Sequence, residues 1–174
     1  MIGKWILAML AVGAWSGAAI AQGAAKPTDP QIAHIAYTAG VIDIEAARQA
    51  LSKSKNKDVI AFAKDMVRDH EAVNQQALAL VKKLNVTPED NDTSKALSSE
   101  AANKRAELAK LNGTAFDKAY VDNEVVYHKK VDGALETVLI PSANNAELKN
   151  LLQTGLKIFE GHEQHAEHVA AELK

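Results

Sequence analysis

Residues 59–84 read VIAFAKDMVRDHEAVNQQALALVKKL, and their periodicity decides the fold. Val59, Ala63, Met66, His70, Val73, Ala77, Leu80 and Leu84 recur at alternating steps of four and three residues. That spacing draws one stripe along an α-helix and turns it toward partner helices. The stripe is apolar except at His70. A ring at such a position needs a hydrogen-bond partner, a proton-transfer role or a metal ion.

Two more stripes repeat the pattern, each again with a histidine. One runs Leu148, Leu152, Gly155, Phe159, His162, Ala166, Val169, Leu173; the other runs Val121, Glu124, His128, Val131, Leu135, Val138. Upstream, Thr28-Asp29-Pro30-Gln31 reads as a helix start, with a capping threonine, proline in the first turn and glutamine three residues on. Ile32, Ile35, Ala39, Ile42 and Ala46 continue that helix to about Lys53. The polar stretch 54–58 is a turn, so the His70 helix begins near Lys57. It ends around Leu84, where Asn85 suits a left-handed cap and Pro88 forbids continuation. Thr93 or Ser94 is expected to cap a shorter helix carrying Leu97, Ala101, Leu108 and Leu111. Asn112-Gly113 breaks it, and Thr114 with Asp117 starts a helix reaching about Leu139, which Pro141 is expected to end. The last helix runs from about Asn144 to the C-terminus. No strand-like alternation of useful length occurs. Four long helices, one short one and brief connections predict an all-α bundle in which each helix buries its stripe.

The first residues read as a targeting segment. Lys4 supplies a positive start, Trp5 to Trp15 is an apolar run, and Ala19-Ile20-Ala21 is a small-x-small cleavage signal. The expected organisation is a cleaved signal peptide over 1–21, a flexible lead over 22–27 and one helical domain over 28–174. The expected location is the periplasm, with no membrane-spanning segment after cleavage. There is no cysteine, so the core must stabilise the chain without a disulfide. The formal charge is -2, and -3 once Lys4 is removed, with both signs locally mixed. That balance argues against a nucleic-acid surface.

Several segments also match a known pattern. Asn56-Lys57-Asp58-Val59, Phe62-Ala63 and Met66-Val67-Arg68-Asp69-His70 resemble the N-P-x-V, F-A and M-x-x-D-H segments of the domain of unknown function 4142 family. Val41 to Glu45 is similar to its acidic first-helix segment, Phe116 to His128 to its F-D-x-x-Y…H segment, and Leu156 to His162 to its last-helix histidine region. Lys57 stands where that family often has proline, and Tyr127 where it often has an acid. The resemblance implies an exported, ferritin-like up-and-down four-helix bundle with one additional short helix. It implies no activity.

The histidines define the chemistry to be considered. No Glu-x-x-His occurs, so the usual ferritin-like di-iron ligand set is absent. His162 and His165 are three apart, one short of the zinc-protease spacing. A looser mixed site remains, with His70, Glu124, His128, His162 and His165 as candidate ligands for zinc, copper or iron. Register bears on that idea. A hairpin turning near Pro141–Ser142 puts His162 level with Tyr120 or Val121, and His128 about seven residues away, roughly 10 Å at the helical rise. One ion cannot bridge that gap, which instead predicts a polar ladder of His162, Glu124 and His128 beside Tyr120 and Tyr127. Glu45, Asp69 and Arg68 read as surface charges, and His34 and His168 as solvated. No cysteine nucleophile, Gly-x-Ser-x-Gly elbow or phosphate-binding glycine loop is present. Three functions stay open: a bundle binding a metal ion or small ligand or serving in envelope stress, a metalloenzyme with a non-standard His/Glu site, and a purely structural or partner-binding bundle.

Overall fold

In the computed structural model, which describes residues 26–173, these stripes lie on α1 (Asp29–Lys53), α2 (Lys57–Lys83), α3 (Asp92–Ala109), α4 (Gly113–Ala134), α5 (Ile140–Ser142) and α6 (Ala146–Glu172). The expected signal peptide, and residues 22–25 of the lead, lie outside the described residues. Local chemistry sets most boundaries. The Thr28 N–H donates to Gln31 Oε1 at 3.1 Å, closing the start of α1. Asn56 Oδ1 accepts from the Asp58 and Val59 amides at 2.8 and 3.2 Å. Asn85 takes φ +51°, the left-handed cap expected after α2. For α3 the cap is Asn91 rather than Thr93 or Ser94; its Oδ1 accepts from Ser94 N–H at 3.1 Å.

Two hairpins make the bundle, α1 with α2 and α4 with α6. One apolar cluster holds Ala46, Ala47 and Ala50 of α1, Val59 to Met66 of α2, Phe116 to Val121 of α4 and Ala166 and Val169 of α6. A second holds Ile32 and Ile35 of α1, Leu135, Leu139 and Ala143, and Leu148 to Phe159 of α6, with Val73 and Leu80 of α2 packed on it. Chain direction follows from the order in which each helix visits the clusters: α1 and α6 run one way, α2 and α4 the other. The connection from α2 to α4 therefore returns along the bundle, and α3 is that crossover. This is the ferritin-like order of two antiparallel hairpins joined by one long connection.

The second hairpin turns later than Pro141 predicts. Residues Leu135–Leu139 wind as a π-helix, with Ile140 N–H bonded to Leu135 O, and Pro141 continues the rod inside α5. Proline has no N–H to give, and here it follows a turn whose bonding has already shifted. The reversal comes at 143–145, where Asn145 caps α6 by accepting from Glu147 and Leu148 at 2.9 and 3.0 Å. Asp29 fixes this turn against the start of α1, accepting from the Asn144 and Asn145 amides at 2.8 and 2.9 Å. The wider π winding also delays the stripe: Val138, expected inside, is 44% exposed, and Leu139 is buried in its place.

The first hairpin packs tightly at Gly40. A Cβ there would meet Asn74 Oδ1 at 2.4 Å, so only glycine lets the buried Asn74 side chain lie against α1.

Candidate metal centre

Between the two apolar clusters lies a layer of buried polar side chains: Asp43 from α1, His70 from α2, Glu124 and His128 from α4, and His162 from α6. Each occupies a regular stripe position, so helix packing alone brings them to one level. The three imidazoles form a near-equilateral triangle, with ring centroids 5.8 Å apart for His70–His128, 5.2 Å for His70–His162 and 5.6 Å for His128–His162. One nitrogen from each ring falls in a set whose members all lie within 4.8 Å of one another. Asp43, Glu124 and His128 form a second such set, and His70 Nε2 is 3.5 Å from Asp43 Oδ2.

Hydrogen bonding orients two of the rings. His128 Nδ1 is 3.0 Å from the Glu124 carbonyl oxygen; that oxygen can only accept, so Nδ1 carries the proton and Nε2 is bare. His162 Nε2 is 3.0 Å from Asp69 Oδ2, and the Arg68 guanidinium donates to both Asp69 oxygens at 2.7 and 2.9 Å. The carboxylate accepts from Nε2–H, so the ring's proton sits on Nε2 and Nδ1 is bare. Both bare nitrogens are buried without a hydrogen-bond partner. The His70 ring stacks on Phe159 at 4.6 Å between centroids and 10° between planes.

Burial governs protonation across the layer. It holds His70 well below the usual histidine range, with the neighbouring His128 and His162 adding to the effect. It pushes His128 down to about 4. His162 is lowered by burial, partly offset by its bond to Asp69. All three rings are therefore neutral near pH 7, the form that binds metals. The carboxyls move the other way: burial raises Glu124 to about 7 and holds Asp43 well above its ordinary value, helped by the adjoining Glu124. No lysine or arginine is among the buried residues described.

Two cavities flank the layer. An apolar one of about 950 Å³ reaches Phe159 from the side of the second cluster. A smaller one of about 230 Å³ lies under α3 and touches both Asp43 and Glu124.

Of the residues expected at a metal site, His70, Glu124, His128 and His162 converge. His165 does not. Its ring stands edge-on to Phe62 at 5.2 Å, its Nδ1 is 4.0 Å from Asp65, and its side chain is 38% exposed. The predicted 10 Å separation of His128 and His162 is also absent, because the reversal at 143–145 brings these two residues level. Glu45 pairs with Arg105 at the surface, and His168 is exposed beside Glu172, both as expected. His34, expected in solvent, is half-buried with Nδ1 closed off from water.

Two residues that shape the site were not singled out by the sequence. Asp43 was legible in the steps Ala39, Asp43, Ala46, Ala50, which place a carboxylate on the α1 stripe as squarely as His70 lies on α2. Asp69, expected as a surface charge, lies off its own stripe and meets His162 across the α2–α6 seam, so only its place in the Met66–His70 segment marks it.

The sequence matches, over residues 15–169, the family described as Domain of unknown function (DUF4142). The chain belongs to that family. Among solved structures it is similar to a protein described as putative secreted protein DUF305 from Streptomyces coelicolor. The identity is 11% and the TM-score 0.70, and the match covers 82% of this chain and 91% of that one. At that identity the likeness concerns the fold alone. A comparison with curated proteins gave no match. Among the described residues no helix is long and apolar enough to cross a membrane.

Proposed function

We propose that this is an exported, periplasmic metal-binding bundle in which His70, His128 and His162 hold one zinc, copper or iron ion. The observation that carries the reading is the convergence of three buried imidazoles, two of them presenting a bare nitrogen because the other nitrogen is already bonded. That is how metal-bound histidines are commonly oriented, through a carboxylate or carbonyl on the second nitrogen. A register-fixing role accounts for the His128 and His162 hydrogen bonds but leaves their inner nitrogens buried and unpartnered, a cost that ligation removes. Asp43 and Glu124, once ionised, balance a divalent charge, so the filled layer is close to neutral. Three imidazole donors suit zinc, copper or iron. Export is supported by the positive start, apolar run and Ala19-Ile20-Ala21 signal, and by the description of the structural neighbour as a putative secreted protein.

Elemental analysis of the mature protein, purified without a His tag, tests the reading. It should be joined to thermal melts of the wild type, His70→Ala and His162→Ala with and without each metal. One equivalent per chain and a rise in Tm that both variants lose are expected, because an ion binding only the folded state stabilises it by mass action. If no metal copurifies and none raises the Tm, the proposal is wrong.

A further inference from the structure

Asp132 lies one turn beyond His128 on α4. It is 6% exposed, and neither of its carboxylate oxygens has a hydrogen-bond partner. The charges around it have its own sign: Glu163 and Glu160 on α6, and Glu136 one turn further along its own rod. Burial first, and these carboxylates second, push Asp132 up to about 7. Lys129 turns away to Glu163 at 3.9 Å and Glu167 at 2.5 Å. A closed-off carboxylate facing three others and bonded to nothing costs stability, so packing does not explain it.

A cation in transit would remove that cost. Glu136 and Glu160 are exposed, Glu163 is half-buried, and Asp132 lies beneath them. One helical turn inward, about 6 Å at the helical rise, is His128, with His162 facing it. Carboxylate ligands can replace the water shed by an entering divalent ion before imidazoles take over. The rim of the smaller cavity is more basic: it includes Lys104, Arg105 and Lys130, each paired with a glutamate, against Lys129 beside Glu163 and Glu167 here.

We propose that Glu136, Glu160, Glu163 and Asp132 form the route by which a divalent cation reaches the three histidines, with Asp132 as the transient ligand between surface and rings. The inference rests on the reading of His70, His128 and His162 as metal ligands.

The test is stopped-flow transfer of Zn²⁺ between a chromophoric chelator and the mature, metal-free protein. Asp132→Asn should slow association and dissociation alike by about tenfold, since a transient ligand between surface and rings acts on both directions whereas the glutamates at the mouth only steer, while Kd stays within about threefold. Glu160→Gln with Glu163→Gln should slow association only and flatten its fall with ionic strength. Glu89→Gln, a single charge change like Asp132→Asn but in the exposed α2–α3 loop, should behave as wild type. An unchanged association rate in Asp132→Asn, or weakening through faster dissociation alone, overturns the route. Absence of zinc uptake by the wild type overturns the site itself, a result distinct from either.

Discussion

Asp69 Oδ2 lies 3.0 Å from His162 Nε2, and the same carboxylate is gripped by Arg68 from its own helix. A residue at the edge of α2 thus sets the tautomer and tilt of a ring on α6. Arg68 holds Asp69 below its ordinary carboxylate range, so the acceptor stays ionised. Asp69→Ala should therefore weaken zinc or copper affinity by roughly 10- to 100-fold through lost orientation. The metal-free protein should lose only about 1 kcal/mol, the worth of one partly exposed hydrogen bond. A competition titration against a chromophoric chelator reads the first effect and denaturant unfolding the second. Unchanged affinity would show that the ring needs no such support.

Protonation gives two opposed stability terms in the metal-free protein. Glu124 is raised from 4.5 to about 7, so the folded state holds its proton more tightly than the unfolded chain. Its contribution is complete below pH 4.5 and is lost as pH rises through 7. Glu124→Gln keeps the shape without the titration, so its stability relative to wild type should improve by about 3 kcal/mol between pH 4.5 and 8. His128 is lowered from 6.5 to about 4, so its contribution is complete above pH 6.5 and is lost as pH falls through 4. His128→Gln should remove that acid loss, again about 3 kcal/mol. Because the windows overlap, chemical denaturation should be compared as differences from wild type. A flat Glu124→Gln difference curve would show that the carboxyl ionises in the fold as it does in water.

The contact between Gly40 and Asn74 predicts a change of sign. Gly40→Ala should cost about 1–3 kcal/mol, because the new methyl overlaps a buried side chain. In an Asn74→Ala background the space is free, and the same substitution should stabilise by about 1 kcal/mol through helix propensity. A double-mutant cycle by urea unfolding measures both. Equal effects in the two backgrounds would contradict the described approach of α1 and α2.

Stripe periodicity carried the reading of the fold, since a chain of amphipathic helices with short loops has few ways to bury every stripe. Val59 to Leu84 and Leu148 to Leu173 could therefore be placed as helices from spacing alone. Pro141 could not be read correctly, because its effect depends on a preceding π-helix that leaves no periodic signature in Leu135 to Leu139. Spacing alone, without the π-helix, puts the hairpin turn at Pro141–Ser142 and sets His128 and His162 apart. Four of the five residues expected at the site come together because they lie on stripes, whereas His165 shares a helix with His162 but faces Asp65. Asp69 depends on contact between helices remote in sequence, which no single-helix pattern encodes.

The layer draws its donors from both hairpins: Asp43 and His70 from the first, Glu124, His128 and His162 from the second. The segment between them is the crossover through α3, whose described buried residues are only Ser94 and Leu108. An ion held by His70, His128 and His162 would therefore close a loop from α2 through α3 to α4, as a disulfide does in chains that have cysteines. This chain has none. What the proposed site would supply instead is a reversible cross-link at mid-height, which a chelator could undo and a fresh ion restore.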